Sequence, residues 1–227
     1  MNDKVSCLMV TRNRLKLVRR AIRCFQSQSH QNRELIVVDD GEDGTQEYVT
    51  GLRDLQIVYI RPQKIGLPLG ELRNLAIDSA TANYVTQWDD DDWYHTDRIR
   101  IQLAALKYSG EEVCFLNRWT LAWPERNLFG HSKPRFWEGS IFALKEKIGR
   151  YPPMRRGEDT TLVNQIRANG IKTCLVDNPE LYIYVFHGAN TYSAEHFIAA
   201  VFTDITKRIE GEEAEIIVRK LDLARYH

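Results

Sequence analysis

The sequence lacks an excess of charge of either sign. Its 227 residues include 31 Lys and Arg against 31 Asp and Glu, so the formal net charge is zero. A strongly basic protein is attracted to nucleic acid over much of its surface, and this balance implies no such attraction. A local basic face stays open as an alternative. The length suits one sizeable core, and no stretch has the composition of a linker that would divide the chain.

The sequence also lacks long apolar runs. No segment approaches the ~20 apolar residues of a transmembrane helix, and the start, Met1–Lys4, has no apolar region of a signal peptide. If the protein works at a membrane, we expect it to visit the surface or to belong to a larger assembly. The expected location is the cytoplasm, including a peripheral position at the inner face of the membrane.

Cysteine is scarce, and the four residues are scattered. Their positions show neither short-range pairing nor the spacing of metal ligands, which argues against a disulfide framework and against a cysteine-based zinc site. They are Cys7, Cys24, Cys114 and Cys174. The sequence therefore predicts a reduced, cytosolic protein.

The most informative stretch is an acidic quartet, Asp89–Asp92, between the apolar run Tyr84–Trp88 and the aromatic pair Trp93 and Tyr94. The pattern predicts a buried strand whose end reaches solvent. Adjacent carboxylates repel one another unless a cation shares the site. Oxygen ligands favour Mg²⁺ or Mn²⁺, whose other ligands are commonly substrate phosphates. A diphosphate substrate follows, and a solvated acidic turn at a helix start is the alternative.

Strands and helices alternate through the first half of the chain. The predicted strands are Val5–Val10, Leu35–Val38, Ile57–Ile60 and Tyr84–Trp88. This alternation predicts an α/β fold with a mostly parallel sheet and helices on both faces. Ligands of such sheets bind outside the carboxyl ends of the strands. We therefore expect the segments that follow the strands to converge on one site, and these are Thr11–Asn13, Asp39–Asp40 and the acidic quartet.

The second half is less regular. It contains a helix over about 96–108, a strand at Val113–Leu116, a segment rich in Trp, Pro and Gly at Trp119–Gly139, and a strand at Leu181–Phe186. Two amphipathic helices are predicted to end the chain. The first carries Phe197, Ile198, Val201, Phe202 and Ile205, and the second carries Ile216, Ile217 and Leu221.

An ordered set of short motifs resembles family 2 glycosyltransferases of bacterial type, which have the GT-A fold. The motifs are Val5–Asn13, Glu34–Asp40, Leu72–Asn74, Asp89–Asp92, Gly157–Asp159 and Tyr184–Asn190. Each motif alone is weak, but their order is specific, and together they cover about 5–191. The resemblance implies a single GT-A domain over 1–227. Its parts are a nucleotide-binding half over about 1–95 with a Rossmann-like sheet, an irregular acceptor and catalytic half over about 96–191, and C-terminal helices over about 192–227.

The resemblance implies a hexosyltransferase that moves a sugar from a nucleotide diphosphate sugar, usually a UDP-sugar, to a hydroxyl group with the help of Mn²⁺ or Mg²⁺. It places Thr11 and Asn13 beside the base and ribose, Asp40 at the uracil ring, and Arg73 at the nucleotide or its diphosphate. Two alternatives stay open: a turn formed by Asp40 before Gly41, and a salt bridge made by Arg73.

Within the acidic quartet, the resemblance makes Asp91 the direct metal ligand. Asp89 and Asp90 would contact the ribose or the water shell of the metal, and Asp92 could instead cap the following segment. His187 would contact the metal or the diphosphate. A strand-end histidine bonded to a neighbouring loop is the alternative for His187.

In the second half, the resemblance makes Asp159 the general base of an inverting transfer. Glu158 and Trp137 are candidates for contacts with the acceptor. The structural alternative for Glu158 and Asp159 is a helix start, where acids offset the dipole. The aromatic residues from Trp119 to Trp137 are more often core than sugar platform.

Two other functions are alternatives. A nucleotidylyltransferase of similar fold would need a Gly-rich signature with Arg or Lys after the first strand, which the loop Thr11–Arg14 lacks. A non-catalytic nucleotide-sugar-binding domain would be favoured if the acids were missing. The acceptor stays open among a saccharide, a lipid-linked glycan, a protein and a modified nucleic acid, and a homo-oligomer is likewise an open expectation.

Overall fold

The computed structural model describes residues 3–200, 203 and 205–226. The strands are β1 Val5–Thr11, β2 Arg33–Asp39, β3 Ile57–Ile60, β4 Tyr84–Gln87, β5 Trp93–Tyr94, β6 Val113–Leu116, β7 Thr120–Trp123, β8 Leu128–Ser132, β9 Phe142–Leu144, β10 Thr173–Val176, β11 Tyr182–Val185 and β12 Ile205–Ile209. The helices are α1 Leu15–Gln26, α2 Thr45–Gly51, α3 Leu69–Ser79, α4 Arg98–Ser109, α5 Glu158–Ala168, α6 Ala194–Ala200 and α7 Gly211–Leu221.

The central sheet has the strand order β10-β6-β9-β4-β1-β2-β3. Strand β9 runs antiparallel to β4 and β6, and the other neighbours are parallel. Strands β1 and β2 are continuous apolar runs because both of their faces are covered, which is the pattern of parallel strands. The predicted α/β fold with a mostly parallel sheet is therefore confirmed.

Helices cover both faces of this sheet, as predicted. On one face, Val18, Ile22 and Phe25 of α1 enter the same apolar core as residues of α4. On the other face, residues of α3 and α5 pack against the opposite side chains of β1 and β2. Because successive strand residues point to opposite faces, the two cores share the strands and leave the strand ends free for a site.

The second half is more regular than the sequence indicates. Strands β7 and β8 lie within the Trp-, Pro- and Gly-rich segment that was expected to be irregular, and they join a five-stranded sheet of order β12-β8-β7-β11-β5. Of the aromatic residues in that segment, Trp119, Trp123, Phe129 and Trp137 are buried. Their burial confirms that they belong to the core.

The C-terminal region differs from the prediction. Helix α6 ends at Ala200, and Ile205, which was expected in that helix, begins β12 and pairs with Ser132 of β8. The predicted residues Val201 and Phe202 lie outside the described residues. The second helix is confirmed as α7, which buries Ala214, Ile217 and Leu221, whereas Ile216 is exposed. Throughout the described ranges, every helix is too short or too polar to cross a membrane.

At the end of the sheet remote from the strand carboxyl ends, the buried side chain of Glu34 joins three segments. Its carboxylate accepts hydrogen bonds from Lys4 Nζ at 2.6 Å, from the Ser6 hydroxyl, and from the Thr81 backbone N–H at 2.7 Å. Burial raises the pKa of Glu34, but these bonds outweigh burial and lower the pKa to about 2. The charged carboxylate therefore stabilises the fold.

We expect Glu34→Gln to lower the free energy of unfolding by about 2 kcal/mol at pH 7. Because the pKa in the folded protein is about 2, below the ordinary 4.5, this stabilisation is present above pH 4.5 and is lost as the pH falls towards 2. The difference between wild type and variant should shrink over that window in denaturant titrations. Glu213→Gln, which removes an exposed ion pair with Lys207, is the control and should change stability little. Equal stability of Glu34→Gln and wild type at pH 7 would contradict the expectation.

Candidate active site

A cleft of about 390 Å³ opens where β1, β2 and β4 reach their carboxyl ends. It also receives the start of α5 and the loop after β11. The residues singled out from the sequence that line it are Thr11, Asp40, Arg73, Asp89, Asp90, Asp91, Asp92, Trp137, Glu158 and Asp159, whereas His187 is not among the lining residues. Residues that are far apart in the chain thus meet at the edge where open α/β sheets bind ligands.

The acidic quartet spreads its side chains in different directions. An Asp89 oxygen accepts a hydrogen bond from Arg73 Nη2 of α3 at 3.0 Å. Asp92 points the other way, where its carboxylate accepts hydrogen bonds from the Tyr182 hydroxyl and from the Val185 backbone N–H at 3.0 Å. Asp92 therefore joins the quartet to β11 of the second sheet, and does not cap the segment that follows it.

Asp90 and Asp91 meet around one guanidinium group. Arg14 Nη1 lies 3.2 Å from Asp90 Oδ1 and 2.9 Å from Asp91 Oδ2. The Thr11 hydroxyl donates to Asp90 at 2.6 Å, and His187 Nε2 lies 3.2 Å from Asp91 Oδ2. The loop after β1, the quartet and the loop after β11 are thus held together by polar contacts.

These contacts give the two neighbouring carboxyl groups different pKa values. Burial and the charge of Asp91 raise the pKa of Asp90 to about 7, although Arg14 and Thr11 act in the opposite direction. Burial also raises the pKa of Asp91, but the hydrogen bond with His187 and the charge of Arg14 outweigh it and hold that pKa below its ordinary value. Asp91 is therefore the carboxylate that keeps its charge.

The metal-ligating atoms near Asp91 suit a cation that binds together with a substrate. Nowhere in the described part of the chain do three or more His, Cys, Asp or Glu side chains form a ready metal cage. Asp91 and His187 supply a carboxylate oxygen and a ring nitrogen side by side. Mg²⁺ and Mn²⁺ are commonly held by one or two protein ligands together with phosphate oxygens and water, so the residues present fit such an ion.

Asp40 and Asn13 organise the loops that follow β1, β2 and β3. Both oxygens of the buried Asp40 carboxylate accept the Gly66 N–H, at 2.8 and 3.1 Å. Asn13 has φ 54° and accepts the Glu42 N–H at 2.6 Å. A Cβ atom at Gly41 would lie 2.3 Å from the Asn13 nitrogen, so only glycine fits there. Asn13 joins two loops and is not among the residues that line the cleft.

Arg73 bridges the two sides of the cleft. Its Nε donates to Glu158 at 3.0 Å, and its Nη2 donates to Asp89 at the same distance. Burial raises the pKa of Glu158 even though the charge of Arg73 opposes it. Arg73 therefore positions an acid of the quartet and an acid at the start of α5, which is the salt-bridging role that was weighed as an alternative.

Asp159 and Trp137 lie on the side of the cleft formed by the second half. Asp159 is in the first turn of α5, and Gly157 precedes this turn with φ 72°. Trp137 is largely buried and stacks on Trp119 with ring centroids 4.3 Å apart. It also contacts the ring of Tyr184, which lines the cleft. The aromatic side chains thus form part of the core and part of the cleft wall.

Several residues that line the cleft have no role predicted from the sequence. They are Arg12, Arg14, Arg155, Arg156, Tyr184, Asn190, Thr191 and Tyr192. Arg14 was visible as a basic residue in the polar loop between β1 and α1, which is the one signal that could have suggested a role. Arg12 lies in that same loop, Tyr184 lies in β11, and the other five lie in the loops before α5 and after β11.

The fold is that of a GT-A glycosyltransferase. It superposes on the crystal structure of S. aureus TarS 1–349 in complex with UDP-GlcNAc with a TM-score of 0.71, covering 96% of this chain and 71% of TarS 1–349 at 16% sequence identity. The complex of the same protein with UDP gives a TM-score of 0.69 and covers 70% of it. This likeness confirms the predicted GT-A fold.

The family "Glycosyl transferase family 2" matches residues 6–165. The chain therefore belongs to glycosyltransferase family 2, which confirms the resemblance. The glycosyl transferase WcaA of Escherichia coli K12, which its name provisionally connects with colanic acid biosynthesis, is 36% identical over 124 residues, or 50% of this chain and 44% of WcaA. The GalNAc(5)-diNAcBac-PP-undecaprenol beta-1,3-glucosyltransferase of Campylobacter jejuni is 35% identical over 92 residues, or 39% and 30% of the two chains. The chain thus spans less than half the length of these relatives.

Proposed function

We propose that this chain is the catalytic domain of a glycosyltransferase that moves a sugar from a UDP-sugar to a hydroxyl group. The observation that carries the proposal is one cleft that holds a charged Asp91 at the end of β4 and Asp159 at the start of α5. Membership of family 2 supports transfer of a glycosyl group. The UDP-GlcNAc bound to TarS, which has the same fold, supports the nucleotide and the diphosphate.

On the donor side, the loops after β1 and β2 would hold the nucleotide. Thr11 and Asp40 line this part of the cleft, and we assign Asp40 to the uracil ring and Thr11 to the ribose. Asn13 would act by holding the loop in place through its bond to the Glu42 N–H. Arg73 keeps Asp89 in position for the ribose or for the water shell of the cation.

Asp91 and His187 would hold a divalent cation, Mn²⁺ or Mg²⁺. Such an ion, when bound, stabilises the negative charge that grows on the leaving diphosphate. Asp91 is suited to this role because its pKa is held low. Asp90, whose pKa is raised to about 7, lies beside Asp91 and accepts a hydrogen bond from the Thr11 hydroxyl. Asp92, the last residue of the quartet, anchors the second sheet by accepting the Val185 N–H.

On the acceptor side, Asp159 would take the proton of the attacking hydroxyl group. A carboxylate in this role typically contributes ~10²–10⁴-fold to the rate. Attack from the face opposite the diphosphate inverts the anomeric configuration. Trp137 and Tyr184 would offer an aromatic surface to the acceptor, and Glu158, which is buried against Arg73, would hold Arg73 and the start of α5 in register.

The proposed function is tested by donor binding and donor hydrolysis, which need no known acceptor. We expect UDP and one or more UDP-sugars to raise the thermal unfolding midpoint in the presence of Mn²⁺, because a ligand that binds only the native state stabilises it. We also expect slow release of the sugar from that donor. The first anomer seen by proton NMR should be opposite to that of the donor.

The arms of this experiment separate the alternatives. Binding without hydrolysis would favour a non-catalytic nucleotide-sugar-binding domain. Release of pyrophosphate from a nucleoside triphosphate and a sugar phosphate would favour a nucleotidylyltransferase. A shift by UDP that is the same with Mn²⁺ and with a chelator would remove the cation from the proposal.

A further inference from the structure

Arg14 joins three separated parts of the cleft. Its Nη1 contacts Asp90 and Asp91, and its Nη2 donates to the Ala189 carbonyl oxygen at 2.9 Å. The side chain is 26% exposed and lines the cleft. Burial lowers the pKa of Arg14, but the charges of Asp90 and Asp91 outweigh it and raise the pKa, so the guanidinium group is charged.

We propose that Arg14 is a displaceable counter-ion of Asp91. It neutralises Asp91 while no dication is bound, a dication displaces it, and the released guanidinium group then binds the diphosphate of the donor. This inference rests on the proposed function, because it assigns a further positioning residue to the same site.

The charges around Asp91 favour this exchange. Two buried neighbouring carboxylates need a cation nearby, and Arg14 supplies it at 2.9 Å from Asp91 Oδ2. That oxygen also lies beside His187 Nε2, which makes it the oxygen that a cation between Asp91 and His187 would use. A guanidinium group and a dication repel each other strongly at such short range in a partly buried site. A cation at this oxygen would therefore break the contact between Arg14 and Asp91.

Other cleft arginines have contacts that this exchange leaves in place. Arg73 would keep both of its carboxylate partners, Glu158 and Asp89. Arg155 donates to the Gly66 carbonyl oxygen. Arg14 would lose its closest carboxylate contact, and it would then carry a positive charge into a cleft that receives a diphosphate. Guanidinium groups form strong paired hydrogen bonds with phosphate oxygens.

The hydrogen bond with Ala189 connects Arg14 to the wall of the cleft. Ala189 lies in the loop after β11, and the next residues, Asn190, Thr191 and Tyr192, line the cleft. The loop is also held by Asn190, whose side chain donates to the Val185 carbonyl oxygen at 2.9 Å. When Arg14 leaves Asp91 it also leaves Ala189, so binding of the cation would remove one of the polar contacts that hold this wall.

The test uses Arg14→Gln and measures two affinities. Free Mn²⁺, followed by electron paramagnetic resonance without nucleotide, should bind the variant at least about tenfold more tightly than wild type, because the competing charge is gone. UDP at saturating Mn²⁺, followed by calorimetry, should bind the variant about tenfold more weakly, because a charge-assisted contact is lost. A folding defect would weaken both affinities, so the opposite signs identify the exchange.

Two further variants complete the test. Arg14→Lys keeps the charge and should restore most of the competition with Mn²⁺. Arg23→Gln, an exposed arginine in the last turn of the same helix, removes the same charge outside the cleft and should leave both affinities unchanged. If wild type binds UDP in a Mn²⁺-dependent way and Arg14→Gln binds Mn²⁺ no more tightly, the inference is overturned and the proposed function stands. If Mn²⁺ changes UDP binding in neither protein, the inference is overturned and the cation is removed from the proposed function.

Discussion

Replacing Asp159 by asparagine is expected to lower the rate of sugar transfer, and of donor hydrolysis, by about 10²–10⁴-fold. The amide has nearly the shape of the carboxylate but cannot accept the proton of the attacking hydroxyl group. The affinity for UDP with Mn²⁺ should stay close to that of wild type, because Asp91 and the nucleotide side of the cleft are unchanged. Steady-state hydrolysis of the preferred UDP-sugar and calorimetry with UDP measure the two quantities.

The control must separate the proton transfer from the role of an acid in a first helical turn. Glu212→Gln removes a first-turn acid of α7, which is exposed and outside the cleft. It should cost a few tenths of a kcal/mol of stability and should leave hydrolysis unchanged. Near-normal hydrolysis by Asp159→Asn would show that another group is the base, and loss of UDP affinity would place Asp159 on the donor instead.

Replacing Asp91 by alanine is expected to abolish the dependence of UDP affinity on Mn²⁺ and to lower transfer by at least about 10²-fold. The reason is that Asp91 is the carboxylate of the quartet whose pKa is held low and whose oxygen lies beside His187. Calorimetry with UDP, with Mn²⁺ and with a chelator, measures the first effect. Removing the metal from wild type with the chelator should reproduce the affinity of the variant.

A carboxylate outside the cleft provides the comparison for Asp91→Ala. Asp78 lies on α3 and forms an exposed ion pair with Arg150. Asp78→Asn should leave UDP binding and its response to Mn²⁺ unchanged, since exposed pairs contribute little. An Asp91→Ala protein whose UDP affinity still rises with Mn²⁺ would show that another residue holds the cation.

The first half of the fold could be predicted because its strands carry their own signal. The apolar runs of β1 and β2 are almost entirely buried, the edge strand β3 is partly buried with Val58 exposed, and each run is bounded by polar loops. The strand β3 agrees with the prediction at both ends, and the others differ by one to three residues. Continuous apolar runs that alternate with amphipathic helices permit few arrangements other than a parallel sheet.

The second sheet could not be predicted in the same way. Strand β5 has two residues, Trp93 and Tyr94, and β12 consists of Ile205–Ile209 with two charged side chains exposed. Such short segments have no periodicity to detect, and they form strands because distant partners are available. Strand β12 pairs with β8, more than 70 residues earlier in the chain, so its hydrogen bonds depend on long-range contacts.

The sequence by itself determined that acids end the strands β2 and β4 and that these strands belong to one parallel sheet. It therefore determined where the cleft lies, because the carboxyl ends of parallel strands meet at one edge. Only the tertiary structure decided what each acid does. Asp89 turns to Arg73, Asp91 meets Arg14 and His187, and Asp92 is buried against β11. Side-chain direction and burial depend on neighbours brought together by folding, and four identical residues in a row carry no local signal that distinguishes them.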